Sequence, residues 1–215
     1  MAPNMEYTQM IPCDNQSEYA YSGIIEFSQS YSAVLDAVAI LSDSRAPGWS
    51  SRDTRDFKKW NKQFLSWFIN SDSGKKARAS TNNHATFYRM NTASIAHFVK
   101  DSNTAHELLL ELRDTIEHNI AANGTQPNEL RRTRPWHYSN FNLVAFTRAA
   151  ELGKKIDVDI WGYAGSDGQT LLKAIEYLIP AAVNGKNMWP YEDMGFDAYA
   201  ATDNIHAAAD QGSLG

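Results

Sequence analysis

The spacing of the large apolar residues constrains this chain more than any other feature. Phe57, Trp60, Phe64, Trp67 and Phe68 fall at steps of three and four, which gathers their rings on one face of a helix. The period recurs. Ile25, Val34, Leu35, Val38, Ala39 and Leu41 mark a helix over about Ile24 to Leu41. Leu108, Leu109, Leu112, Ile116 and Ile120 mark another over about Thr104 to Ala121, and Leu171, Leu172, Ile175, Leu178 and Ile179 a third over Gln169 to Ala182. Helices are also predicted from Ala85 to Lys100 and from Trp136 to Leu152. Only Ile156 to Tyr163 alternates apolar and polar, so a short extended piece is expected there.

The punctuation agrees with about six helices. Pro47-Gly48 signals a turn within a loop over 44–51, and Ser51 or Asp53 is expected to cap the next helix. Ser71 to Ser80 is small and polar, contains Gly74, and is expected as loop. Asn123-Gly124 suits a helix end, and Asn123 to Pro135 is expected as loop. From Asn184 onward no long periodic run appears. Consecutive helices on short connections pack antiparallel. The predicted fold is therefore all-α, as stacked helical hairpins in a single domain over 1–215.

Composition narrows the function. A formal net charge of −5 offers no general basic face, so nucleic acid is not an expected partner. Arg131, Arg132 and Arg134 nonetheless form a local basic patch. The lone Cys13 excludes an internal disulfide. No apolar run approaches the roughly 20 residues of a membrane span, so no membrane role is expected. Met1 to Tyr7 lacks the basic start and apolar stretch of a signal peptide. His84 and His137 have no partner at a ligand spacing such as H-x-x-x-H, there is no Gly-rich phosphate loop, and no serine sits in a G-x-S-x-G setting. Neither metal nor cofactor is expected.

Two polar clusters remain: Asn82-Asn83-His84-Ala85-Thr86-Phe87-Tyr88 and Arg131-Arg132-Thr133-Arg134-Pro135-Trp136-His137-Tyr138. Each opens a predicted helix, where unpaired backbone N–H groups and the helix dipole favour anions. Taken singly, each has an ordinary reading. Asn-Asn makes a good cap, His and Tyr pack at core edges, and loop arginines are commonly solvated. Taken together they suit proton abstraction α to a carboxylate. Amide and guanidinium groups offset the carboxylate charge, and a Tyr or His moves the proton. On a uronic-acid polymer the result is β-elimination at the glycosidic bond.

These segments, in this order, resemble the alginate lyase-like polysaccharide lyases. The resemblance rests on Asn82 to Tyr88, on Glu129 to Leu143, on Trp189-Pro190-Tyr191, and on the N-terminal Pro3-Asn4-Met5-Glu6-Tyr7-Thr8-Gln9. It covers the chain from Pro3 to about Asp197 and implies a helical (α/α) toroid acting on an anionic polysaccharide of alginate or glucuronan type. Carried over by motif, Asn83 neutralises the substrate carboxylate, His84 assists or acts as base, and Tyr138 is the acid and often the base. Arg132 stabilises charge, with Arg131 the choice if the register shifts by one. Gln9, Asn82, Tyr88, Arg131, Arg134 and His137 are implied subsite residues.

Members of that family usually carry further helices before the P-N segment and a secretion signal. The resemblance therefore implies an incomplete toroid, the C-terminal portion of a catalytic domain, with an exposed edge open to a partner or to self-association. It also implies a secreted or extracytoplasmic setting. The alternative function is a catalytically inactive relative serving as a helical carbohydrate-binding or interaction domain.

Overall fold

The computed structural model describes residues 24–212, with side chains from residue 30 onward. Ten α-helices and no strands occur among these residues: α1 (Ile24–Asp43), α2 (Ser51–Asn70), α3 (Asp72–Arg78), α4 (Asn83–Phe98), α5 (Ser102–Asp114), α6 (Ile116–Asn119), α7 (Pro127–Leu130), α8 (Pro135–Gly153), α9 (Leu171–Asn184) and α10 (Thr202–Ala209). The all-α expectation holds.

The apolar stripes do what their spacing predicts. On α1, Tyr31, Leu35 and Val38 are buried, and the Tyr31 hydroxyl donates to Asn61 Oδ1 on α2 at 2.6 Å. Phe64 and Phe68 of α2 are fully enclosed, with ring centroids 4.7 Å apart. Burial of such rings contributes about 1.5–3 kcal/mol each. Val34, counted in the stripe, is instead exposed at the edge of the buried face, and Ile40 is exposed on the opposite side of α1.

The cap of α2 is Ser50, one residue earlier than expected. Its Oγ accepts the Asp53 N–H while the Asp53 carboxylate accepts the Ser50 N–H, a reciprocal capping box. Ser71 to Ser80 is not a loop. Ser71 Oγ accepts the Gly74 N–H at 3.1 Å and starts α3, which packs against α2 and α4. A Cβ on Gly74 would sit 1.8 Å from the Phe68 carbonyl oxygen, so glycine permits this close approach. The composition was polar because α3 is short, not because it is irregular.

Ile156 to Tyr163 forms turns rather than an extended piece. Gly153 O accepts from both Ile156 N and Val158 N, and Val158, Ile160 and Trp161 are buried. The alternation there records burial around a turn. After Asn184 the chain makes two short 3-10 turns and then α10, which packs on α8 and α9. The loop over 123–135 contains the single-turn α7.

Two helices organise the rest. α4 packs against α1, α2, α3, α5 and α8; α8 packs against α4, α5, α7, α9 and α10. The tight turn at Val99 to Asp101, with Lys100 at φ 68°, reverses the chain from α4 into α5. Phe87 of α4 meets Phe141 of α8 at 4.3 Å between centroids, which fixes the two helices side by side near their starts.

Candidate active site

The two polar clusters lie at the starts of α4 and α8. At α4, Asn82 is the N-cap, and its Oδ1 accepts the His84 N–H at 3.2 Å. The next donor goes to a distant residue: Asn83 N donates to Glu129 Oε1 at 2.6 Å, and Asn83 Nδ2 donates to Glu129 Oε2 at 2.6 Å. Glu129 lies on α7 and is 1% exposed. Its neighbour Asn128 donates through Nδ2 to Thr81 O at 2.7 Å. The turn of α7 is thus bolted to the start of α4 by adjacent residues.

α7 also delivers the arginine. Arg132 N donates to Glu129 O at 3.2 Å. The Arg132 guanidinium carbon lies 4.0 Å from the centroid of the Tyr138 ring, a cation–π contact. Burial lowers the His84 pKa below the ordinary imidazole range, and the Arg132 charge lowers it further. His84 is therefore neutral at neutral pH and able to accept a proton. Burial pushes the Glu129 carboxyl above the ordinary carboxylate range, partly offset by the Asn83 hydrogen bonds and by Arg132.

The start of α8 is held differently. Arg134 at the N-cap makes no side-chain cap, and Pro135 occupies the first turn. Asp193 supplies the cap from downstream, its Oδ2 accepting Trp136 N at 2.7 Å while Oδ1 accepts Gly195 N at 2.9 Å. Trp136 is fully buried, donates through Nε1 to Asp197 O at 2.6 Å, and packs against Trp189 and Phe196. The segment after Trp189 therefore folds back over the helix start that carries His137 and Tyr138. His137 stacks on Phe141 and meets the Tyr138 ring at 5.2 Å. Burial, then Arg134, lower the His137 pKa, and Asp193 opposes them.

These contacts change the sequence reading in a definite way. Both helix starts were expected to offer backbone N–H groups to a substrate anion. N–H groups of each are already taken by the protein's own side chains: Asn82 and Glu129 at α4, Asp193 at α8. An anion at either helix start would find these donors already occupied.

His84, Arg132 and Tyr138 are half-buried and linked through Arg132. Asn82 and His137 are half-buried beside them, and Arg131 and Arg134 are exposed. Asn83 departs from expectation: it is 1% exposed with its amide nitrogen committed to Glu129, so it does not present an open amide. Tyr88 is a correction. It is fully buried, its hydroxyl donates to Phe68 O at 3.4 Å, and it belongs to the core rather than to a subsite. Gln9 lies outside the described residues. Glu129 and Asp193 are the residues whose roles sequence reasoning missed. Each acts on a helix start remote in sequence, and nothing in the spacing announces it.

A cavity of about 620 Å³ lies elsewhere, along the C-terminal halves of α4 and α8 and beside α1 and α10. It shares no residue with the His84–Tyr138 cluster; His97, on its wall, is roughly 20 Å along α4 from Asn83. Among the described residues, no group of three or more His, Cys, Asp or Glu could hold a metal ion, and no helix is long and apolar enough to cross a membrane.

The family model for alginate lyase matches residues 1–189. The chain belongs to the alginate lyase family. Its fold agrees with that of solved members. One is an alginate lyase from Bacteroides ovatus, with a TM-score of 0.91 at 23% identity over 100% of this chain and 57% of that one. Another is a histidine-to-alanine variant of alginate lyase A1-III complexed with a tetrasaccharide, with a TM-score of 0.69 at 16% identity over 93% of this chain and 58% of that one. This family member thus spans less than three-fifths of the length of either structure. No curated protein matches its sequence.

Proposed function

We propose that this alginate lyase family member belongs to a polysaccharide lyase that cleaves a uronic-acid polymer of alginate or glucuronan type by β-elimination. The observation that carries the proposal is the placement of Arg132, which packs on the Tyr138 ring and whose charge also acts on His84.

In this reading the uronate carboxylate is met by Arg132, with Arg131 and Arg134 drawing the chain in from the exposed rim. The guanidinium offsets charge as the α-proton leaves, and it does so without changing protonation state. Tyr138 donates a proton to the leaving glycosidic oxygen and, for one epimer, also removes the α-proton; neutral His84 accepts the proton for the other. Asn82 and His137 flank the sugar. Asn83 stands behind His84 and steadies the start of α4. The same reading places the protein in a secreted or extracytoplasmic setting, where such polymers occur.

The enclosure of Asn83 favours a second reading, a helical domain that binds uronate without turning it over. An assay separates the two. Incubation with mannuronate-rich alginate, guluronate-rich alginate and glucuronan should generate the ultraviolet absorbance of an unsaturated uronate on at least one of them. Binding to the same polymers with no absorbance would support the second reading and sink the first.

A further inference from the structure

The geometry points to Glu129 as a positioning residue that sets the relation between His84 and Arg132. This rests on the lyase reading for its catalytic meaning, though the contacts that carry it do not.

Glu129 is joined to both elements of the site at once. Its carboxylate takes the Asn83 backbone N–H and the Asn83 side-chain amide, each at 2.6 Å, and so fixes the first turn of α4 next to His84. Its carbonyl oxygen takes the Arg132 N–H at 3.2 Å. At 1% exposure it touches no polymer at the surface, so its effect must pass through other residues.

Burying a carboxylate is costly unless its oxygens are hydrogen-bonded, and a hydrophobic residue here would leave the Asn83 N–H and Nδ2 buried without acceptors. The Glu129 carboxylate accepts through both of its oxygens. It therefore holds both the Asn83 N–H and Nδ2 on its own side and dictates which way the amide faces. Glutamine cannot do this. With one oxygen on Asn83 N, it offers an NH2 to the amide and requires Asn83 to turn over.

The test uses three variants of the full chain. Glu129→Gln should lower kcat by roughly 100-fold, the scale of a small misplacement of reacting groups, with KM and thermal midpoint nearly unchanged. Asn83→Asp should face two carboxylates at one contact and lose stability. Combining Asn83→Asp with Glu129→Gln restores a donor against an acceptor and should recover stability relative to Asn83→Asp, and a large part of kcat relative to either single variant. Side-chain amide NMR signals should show the Asn83 NH2 shifted downfield in the natural protein and not in Glu129→Gln. A Glu129→Gln variant with natural kcat, or an Asn83 amide signal indifferent to Glu129, would overturn the assignment. If the natural chain cleaves no uronate polymer, the lyase reading fails, and the amide signals and the stability recovery still decide the role of Glu129.

Discussion

The Arg132 guanidinium sits 4.0 Å from the centroid of the Tyr138 ring, with neither residue on the same helix. A cation held over a phenol keeps its charge near the hydroxyl without a hydrogen bond to it. The same charge acts on His84 from the start of α4. One arginine therefore acts on both of the rings to which the proposed mechanism gives proton transfer.

That action on His84 predicts a titration. Arg132→Gln removes a charge that disfavours the imidazolium, so His84 should titrate at higher pH than in the natural protein. It should stay below the ordinary value of about 6.5, because burial remains the larger cause. The His84 ring signals in an NMR pH series measure this directly. In the folded protein His84 binds protons less readily than in the unfolded chain. Its contribution to stability is therefore present above the ordinary imidazole value and declines as pH falls through it. An unmoved titration in Arg132→Gln would separate the two residues.

Asp193 should behave as a detachable cap. Asp193→Ala leaves Trp136 N without its acceptor and should cost about 1 kcal/mol, or roughly 2–4 °C in thermal midpoint. Asp193→Asn keeps one acceptor oxygen for Trp136 N but turns its NH2 toward Gly195 N, so it should recover only part of it. Because Tyr138 follows two residues after Trp136, turnover should fall with the cap in Asp193→Ala. Equal midpoints for the natural protein and Asp193→Ala would show that α8 starts without this help.

Tyr88 should be silent in turnover. Its hydroxyl donates to Phe68 O at a long 3.4 Å inside the core, so Tyr88→Phe should change stability by about 1 kcal/mol or less and leave kcat and KM alone. Tyr88→Ala should instead destabilise by about 3–5 kcal/mol through the cavity it opens. Denaturant unfolding and steady-state kinetics on the same samples distinguish a core tyrosine from a subsite one. A raised KM in Tyr88→Phe would return Tyr88 to the candidate site.

The sequence was most legible where one local force dominates. The stripe from Phe57 to Phe68 had to be a helix face, because only a helix brings those rings together. α3 was not legible, since its polar composition hides a start made by Ser71 and a close approach that only Gly74 permits. The alternation at Ile156 to Tyr163 misled because burial around a turn can imitate the period of a strand. In the site, His84, Arg132 and Tyr138 were legible as residue types at helix starts. The partners Glu129 and Asp193 were not, because a carboxylate that caps a remote helix looks like any other acid in the sequence. Tyr88 was misplaced for a related reason: it sits four residues after His84, but on a helix packed by neighbours on several sides, so sharing a face with His84 did not bring it to the surface.

The central claim is proton transfer by Tyr138 on a uronate polymer, and Tyr138→Phe tests it most directly. The ring that Arg132 packs against is retained and only the hydroxyl is lost, so the thermal midpoint should not move. The account predicts that the natural chain raises the ultraviolet absorbance of unsaturated uronate on alginate or glucuronan, and that Tyr138→Phe slows this by about 10²–10⁴-fold. Turnover by Tyr138→Phe at the natural rate would contradict it.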